Sequence, residues 1–197
     1  MKKYISLVLV ALSGCILTVN AQQSFSYKNP LLPTELRVND LLDRMTLEEK
    51  IAQIRHLHSW DVFDGQVLNQ EKLDKMCGGI GYGFFEGFPL TAASCRKTFR
   101  EIQTYMVEKT RLGIPGFPVA ESLHGVVHEG TTIYPQNIAM GSTFNPELAY
   151  EKTKHIAGEL NTMGVKQVLA PCIDVVRDLR WGRVEESFGE DPFLCSK

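Results

Sequence analysis

Charged and polar side chains that can bind hydroxyl groups are concentrated in three segments of the sequence, residues 121–125, 171–174 and 177–192. Each segment lies shortly after a stretch that is predicted to form a β-strand. In parallel α/β folds, the loops at the carboxyl ends of the strands build the active site. Carboxylates there accept protons from two hydroxyl groups, and guanidinium groups donate to hydroxyl oxygens. The three segments therefore predict one site for a ligand with several hydroxyl groups, such as a sugar.

Six of the side chains in these segments that can make such contacts are Glu121, Asp174, Arg177, Trp181, Arg183 and Glu186. The indole ring of Trp181 can pack on the apolar face of a sugar ring, but a position in the core fits this residue equally well. The charged residues also have an alternative, because structural ion-pair networks cluster acidic and basic groups in the same way. We assign binding to Arg183 and a structural role to Arg180.

Strands and helices alternate along the second half of the sequence. Apolar and β-branched runs predict three strands, at residues 78–85, 114–120 and 165–170. A polar helix with an apolar side is predicted from about Thr91 to Gly113. Another begins at Asn145, which is followed by Pro and Glu, and it ends at Gly164. Such alternation is typical of an α/β fold with a parallel sheet.

The segment before these strands is predicted to be helical. Apolar residues recur there at three- and four-residue steps, and Thr46 and Glu49 have the spacing of a capping box. Two helices are therefore predicted to meet near Met45. We also place His56 and His58 on a helix face, where they carry no functional signal.

The first 21 residues have the pattern of an export signal. Two lysines precede an apolar stretch that is too short for a membrane span, and Val-Asn-Ala before Gln22 resembles a cleavage site. An alternative is a lipoprotein box ending at Cys15, whose lipidation would attach the protein to a membrane. Both interpretations predict export to the periplasm or beyond, which is an oxidising compartment. Residues 22–33 are predicted to form a polar surface arm.

The composition excludes several classes of partner. Hydrophobic residues make up 44% of the chain, which is typical of a globular domain, and the formal net charge is -2 without a basic run. Nucleic acid is therefore not expected as a partner. No metal or other cofactor is expected, since there is no C-x-x-C pair and His124 and His128 lack a third ligand. Four cysteines, Cys77, Cys95, Cys172 and Cys195, are left either to pair or to stay as free thiols.

Four sequence blocks, residues 120–125, 134–136, 142–147 and 177–192, resemble the N-terminal barrel domain of glycoside hydrolase family 3 in order and spacing. Residues 42–51 are similar to the opening helices of that domain. The resemblance implies that residues 34–197 form the N-terminal part of a TIM-like (β/α) barrel. About three βα units of such a barrel would be present, so we expect a truncated α/β fold.

The resemblance also implies an activity and roles for the candidate residues. The family hydrolyses terminal, non-reducing β-D-glycosyl residues of gluco or xylo configuration from oligosaccharides by a two-step retaining mechanism. Glu121 falls where an acidic residue holds hydroxyls of the terminal sugar, and Arg183 falls where an Arg supports the same ring. Asp174, Arg177 and Glu186 are implied to support this site.

The catalytic residues of the family are not matched in this sequence. Its Lys-His pair, its nucleophilic Asp and its acid/base residue would all lie after Lys197, so we expect an inactive fragment with no catalytic residue. Glu rather than Asp at position 121 is similar to the xylosidase and arabinofuranosidase branch, and a longer acid favours a pentose. The alternative is that the chain is complete and is a non-catalytic carbohydrate-binding or scaffold protein.

Overall fold

A computed structural model describes residues 26–87 and 91–197 of the chain. The predicted export signal, both of its alternative processing sites and the first residues of the predicted arm lie outside these ranges. No helix in the part of the chain that is described is long and apolar enough to cross a membrane. The chain divides after Arg44 into two compact units, which are described separately.

In its described residues, 26–44, the first unit contains a 3-10 helix, Ser26–Lys28, and helix α1, Thr34–Arg44. Asp40 joins them, because its carboxylate accepts a hydrogen bond from the amide of Tyr27 at 3.0 Å and one from Arg44 Nε at 2.9 Å. The hydrogen bond from Arg44 lowers the pKa of Asp40, with a smaller contribution from the Tyr27 amide.

The second unit contains the remaining helices and strands. Its helices are α2 (Leu47–Gln53), α3 (Ser59–Val62), α4 (Gln70–Cys77), α5 (Ala92–Lys109), α6 (Asn137–Gly141), α7 (Pro146–Met163) and α8 (Pro192–Cys195). Its strands are β1 (His56–His58), β2 (Phe63–Asp64), β3 (Val67–Leu68), β4 (Phe84–Glu86), β5 (Phe117–Glu121) and β6 (Gln167–Leu169). Two 3-10 helices, Leu179–Trp181 and Val184–Glu186, follow β6.

Strands β1, β4, β5 and β6 form a parallel sheet in that order, and β2 pairs with β3 in a separate antiparallel ribbon. Helices connect the parallel strands, so the prediction of an α/β fold that forms part of a TIM-like barrel is confirmed. The three predicted strands correspond to β4, β5 and β6.

Strand β1 corrects the placement of His56 and His58 on a helix face. In β1 the side chain of Leu57 is fully buried and the two flanking histidines are half-buried on the opposite face. This is the two-residue alternation of a strand. Three residues are too few for that alternation to be distinguished in the sequence from the end of the preceding helix.

The core lies between the sheet and the helices that cover one of its faces. Leu57 of β1 and Phe85 of β4 are both fully buried in it, and the Phe85 ring meets the ring of Phe99 on α5 edge-on at 5.5 Å. Ile102, Met106, Ile156, Leu160 and Met163 belong to the same cluster. Burial of each such side chain contributes about 1.5–3 kcal/mol, and it fixes which face of the sheet stays open.

The helix ends confirm the predicted caps. Thr46 and Glu49 form a complete capping box at the start of α2, and Asn145 accepts a hydrogen bond from the Leu148 amide at the start of α7. Gly164 closes α7 in the left-handed conformation with φ of 92°. The predicted end of α5 is wrong by a few residues: this helix stops at Lys109, and Gly113 follows in the next turn.

The four cysteines in the described part of the chain are free thiols, so they do not pair. Burial raises the pKa of Cys77 to about 12 and that of Cys95 to about 11. Both thiols therefore stay protonated at neutral pH and are poor nucleophiles. They pack as small apolar side chains of the core.

Candidate functional site

The carboxyl ends of three neighbouring strands carry polar side chains. His58 ends β1, Glu86 ends β4 and Glu121 ends β5. Residue pairing across the sheet places His58 beside Glu86, and side chains alternate between the two faces of a strand. Since Leu57 and Phe85 point into the core, His58 and Glu86 point to the other face, which would be the inside of the barrel.

The turn before β5 fixes the direction in which this strand enters the sheet. The side-chain amide of Gln103 on α5 bonds to both backbone groups of Gly116, and its Oε1 accepts from the Gly116 amide at 3.1 Å. A Cβ at Gly116 would come within 2.9 Å of the Tyr82 carbonyl oxygen, so a larger residue does not fit there. Together these contacts set the position at which Glu121 leaves the sheet.

The loop after β5 is tied back on itself. The Tyr134 amide donates to the His124 carbonyl at 2.7 Å, and the His124 ring Nδ1 lies 3.2 Å from the Tyr134 carbonyl. Both residues belong to blocks that resemble the glycoside hydrolase domain. His124 therefore has a structural partner, and no group of three or more metal-binding side chains was found in residues 26–87 and 91–197.

A cavity of about 310 Å³ lies at these strand ends. Its lining includes His58, Trp60, Glu86, Gly87, Glu121 and Leu169. This volume is at the lower end of the range for small-molecule sites, so it suits one small ring rather than a long chain.

Glu121 is exposed at the rim of this cavity and is surrounded by other charges. Partial desolvation raises its pKa, and the charge of Arg183 opposes this shift, whereas Glu86 and Glu186 increase it. Two further carboxylates and one guanidinium group thus act on Glu121. The guanidinium group is paired with Glu186, so it offsets only part of the negative charge around Glu121.

Arg183 and Glu186 form an ion pair on the long loop after β6. Arg183 Nε donates to Glu186 Oε2 at 2.8 Å, and this bond raises the pKa of the guanidinium. Arg180 is paired instead with Asp178, with 2.9 Å between Nε and Oδ1, and both side chains are exposed. The Arg180 pair is local to its own turn, whereas Arg183 reaches the charge of Glu121.

Buried polar groups hold the loop that carries Arg183 and Glu186. The fully buried Ser187 hydroxyl donates to the Asp174 carbonyl at 2.6 Å. Asn137 on α6 donates from Nδ2 to the Glu186 carbonyl at 2.9 Å and accepts from Lys152 on α7 at 2.6 Å. Burial lowers the pKa of the Lys152 ammonium group.

Of the candidate residues, Glu121 lines the cavity. Arg183 and Glu186 are not part of the cavity wall, but their charges act on Glu121. Asp174 is exposed, and its carboxylate accepts from the Cys172 thiol at 3.3 Å. Arg177 and Trp181 are also exposed, and neither has a side-chain partner within the described residues. The roles of Asp174 and Arg177 remain predictions that rest on the resemblance, and that of Trp181 remains a prediction that rests on the ability of its ring to pack on a sugar.

Sequence reasoning did not identify Glu86, His58 or Trp60. The rings of His58 and Trp60 stack with centroids 4.4 Å apart and an angle of 8° between their planes. The alternation of His56, Leu57 and His58 is too short to identify a strand in the sequence. Glu86 directly follows the two aromatic residues of β4, and this position at a strand end is the signal that the sequence does contain.

The parallel sheet with its connecting helices is part of a (β/α) barrel, and a cavity lined by two glutamates lies at its strand ends. These features are typical of a barrel enzyme. The sequence profile of the Glycosyl hydrolase family 3 N terminal domain matches residues 46–197. This match covers more than half of the chain, and the chain therefore belongs to glycoside hydrolase family 3.

Relatives with assigned names include both glucosidases and xylosidases. The chain is 33% identical over 180 residues to a putative beta-xylosidase of Formosa agariphila, a match covering 89% of this chain and 24% of that protein. It is 31% identical to the periplasmic beta-glucosidase of Salmonella typhimurium, covering 98% of this chain and 24% of that one. The chain thus spans about a quarter of the length of these relatives.

Solved structures support the same family. A b-glucosidase, EmGH1, from Erythrobacter marinus superposes with a TM-score of 0.74 at 30% identity, covering 88% of this chain and 23% of that one. A beta-glucosidase from Listeria innocua in complex with laminaribiose gives 0.66 at 33% identity, covering 84% and 22%.

Proposed function

We propose that this chain contributes the sugar-holding part of an enzyme that removes terminal, non-reducing β-D-glycosyl residues of gluco or xylo configuration from oligosaccharides. The observation that carries the proposal is the position of Glu121, at the end of β5 and at the rim of a cavity, beside the charges of Arg183 and Glu186. Family membership and the names of the relatives support it.

Glu121 accepts hydrogen bonds from ring hydroxyls of the terminal sugar in this proposal. Arg183 is held by Glu186 and stabilises the negative charge of Glu121, so that the acid stays available as an acceptor. Asp174, Arg177 and Trp181 belong to the same proposal, although their contacts do not place them at the cavity wall. The partner is an oligosaccharide, and no cofactor takes part.

The proposed reaction is retaining. One carboxylate attacks the anomeric carbon, a second protonates the leaving oxygen, and water then releases the sugar. No residue of this chain is assigned to either role, and we propose that residues outside these 197 provide both. Experiments on activity therefore use the gene product, meaning the complete protein encoded by the gene from which this chain comes.

Export is part of the proposal. It rests on the pattern of residues 1–21, and the name of the periplasmic Salmonella relative supports it. A membrane is a partner only if Cys15 is lipidated.

The test replaces Glu121 in the gene product. Glu121→Gln keeps the shape of the side chain and removes its charge, so every hydroxyl that it binds loses a charge-assisted acceptor. Such a bond contributes about 1.5–3 kcal/mol, which corresponds to a roughly ten- to hundredfold loss of kcat/KM on an aryl β-glycoside. Part of the loss should appear in kcat, because these bonds strengthen in the transition state.

Glu108→Gln is the matched control, since Glu108 is an exposed residue of α5 without a side-chain partner in the described part of the chain. Thermal melts establish that each variant is folded. If folded Glu121→Gln has the kcat/KM of the wild type, Glu121 is an ordinary loop acid and the proposal loses its supporting observation. A gene product that binds oligosaccharides without cleaving them would instead favour a non-catalytic binding protein.

A further inference from the structure

Glu86 has an unusual environment for a carboxylate at a strand end. Its Oε1 lies 2.9 Å from Nδ1 of His56 and 3.4 Å from Nδ1 of His58. Both nitrogens are buried, and neither has an acceptor in hydrogen-bond alignment within the described residues. One carboxylate oxygen is therefore shared between two ring nitrogens at close range but without good geometry. Buried polar atoms in this condition call for an explanation.

Ring stacking holds the two histidines in place. The His56 ring stacks on Phe84 with centroids 5.0 Å apart, and the Phe84 ring in turn stacks on Phe117 at 5.9 Å. His58 stacks on Trp60. The rings cannot easily turn away from Glu86, so the carboxylate sits between two fixed groups. A group fixed in this way binds a ligand without losing much conformational freedom.

The second oxygen of Glu86 is available for a ligand. Both histidine contacts are made by Oε1, and Oε2 has no partner in residues 26–87 and 91–197. Glu86 lines the same cavity as Glu121, and its charge acts on Glu121. Two carboxylates at one small cavity repel each other unless protons lie between them, and the hydroxyl groups of a sugar provide such protons.

We propose that Glu86, fixed between His56 and His58, is a second hydroxyl-binding carboxylate of the sugar site and helps to determine which sugar the site accepts. The inference rests on the proposed function and extends it. Glu86 and Glu121 end neighbouring strands, so they bind different hydroxyls of one ring. Trp60 holds His58 and is a positioning residue.

The experiment compares the gene product with its Glu86→Gln variant on a series of aryl β-glycosides, each lacking a different single hydroxyl group. On the complete sugar, Glu86→Gln should lower kcat/KM about tenfold or more. On the one substrate that lacks the hydroxyl bound by Glu86, the same substitution should have almost no effect. Glu121→Gln should likewise leave kcat/KM almost unchanged on one substrate of the series, and that substrate should lack a different hydroxyl group.

A structural role for Glu86 predicts a different result, because a distorted site would lower kcat/KM by a similar factor on every substrate of the series. That uniform loss, or no loss at all, would overturn the inference. Glu108→Gln serves as the control again. If Glu86→Gln does not fold, Glu86→Asp keeps the charge but withdraws the oxygens, and it should show the same substrate-specific loss. Failure of the proposed function is separate, since it would appear as a wild type that hydrolyses no aryl β-glycoside.

Discussion

Asn137 holds the loop of Arg183 and Glu186 to the helices, and its removal should be costly. Its side chain is 1% exposed, donates to the Glu186 carbonyl at 2.9 Å and accepts from Lys152 at 2.6 Å. Lys152 is itself only 6% exposed, and its ammonium has no other partner in the described residues. Asn137→Ala therefore leaves the part-buried Glu186 carbonyl without this donor and a buried ammonium group without an acceptor.

The expected loss of stability follows from these two bonds. The hydrogen bond to the charged ammonium contributes about 1.5–3 kcal/mol. A fully buried carbonyl without a donor costs about 1–3 kcal/mol, and the part-buried Glu186 carbonyl lies at the lower end of that range. Because such terms are not strictly additive, we expect Asn137→Ala to lower the free energy of unfolding by about 3–5 kcal/mol. Urea unfolding of the gene product at pH 7 measures this value. Asn161→Ala, at an exposed position of α7, should change it by less than about 0.5 kcal/mol.

A second substitution tests the cause. In the Asn137→Ala background, Lys152→Met removes the ammonium that has lost its acceptor, so the double variant should be more stable than Asn137→Ala alone. If Lys152→Met instead has the same effect in both backgrounds, the two residues are not coupled and the reasoning is refuted.

The loss of unfolding free energy in Asn137→Ala should also depend on pH. Burial lowers the pKa of Lys152 below its value of 10.5 in the unfolded chain. The folded protein therefore binds fewer protons than the unfolded chain between the two pKa values, and stability rises with pH there. Below the folded pKa the cost of the buried charge is fully present. Asn137→Ala removes an acceptor that favours the charged form, so the pKa of Lys152 should fall further in the variant. The difference in unfolding free energy between wild type and Asn137→Ala should therefore narrow as the pH is raised from 7 toward 10.

Three further predictions concern the proposed function. Glu121→Asp in the gene product should raise the ratio of aryl β-glucoside to aryl β-xyloside activity, because a shorter acid makes room for a hydroxymethyl group; an unchanged ratio would remove the reason for preferring a pentose. Mass spectrometry of the mature N-terminus should find Gln22 first, whereas a lipid-modified Cys15 would establish the lipoprotein alternative. Residues 22–197 expressed alone should release no nitrophenol from either aryl glycoside, and turnover that survives repurification would contradict our assignment of the catalytic groups.

The sequence predicts elements well where a local signal is strong. The capping box of Thr46 and Glu49 and the Asn-Pro-Glu start of α7 depend only on neighbouring residues, and both are present as predicted. Strand β1 has no such local signal, because three residues are too few to show the alternation of a strand. The sequence therefore does not predict β1, and without β1 it does not indicate that Glu86 lies beside His56 and His58.

For the candidate site, too, the sequence predicts what depends on nearby residues and not what depends on contacts between distant ones. The sequence predicts Glu121, Arg183 and Glu186 as site residues through short blocks in a recognisable order, and in the structure the charges of Arg183 and Glu186 act on Glu121. It cannot indicate that Asn137 supports Glu186, since 49 residues separate these two positions. Nor can it show that Arg177 and Trp181, although within the same block, are left on the surface.

The charge balance at the cavity favours one type of ligand. Of the charged groups that act on Glu121, Arg183 is positive but is already paired with Glu186, whereas Glu86 and Glu186 are negative. A carboxylate or phosphate on the ligand would meet net repulsion there, and this repulsion is stronger in a partly desolvated cavity than in water. A neutral sugar avoids the repulsion and provides hydroxyl protons for the carboxylates. The same acids that make an anionic ligand unsuitable are thus the groups that we propose to bind a neutral glycosyl residue.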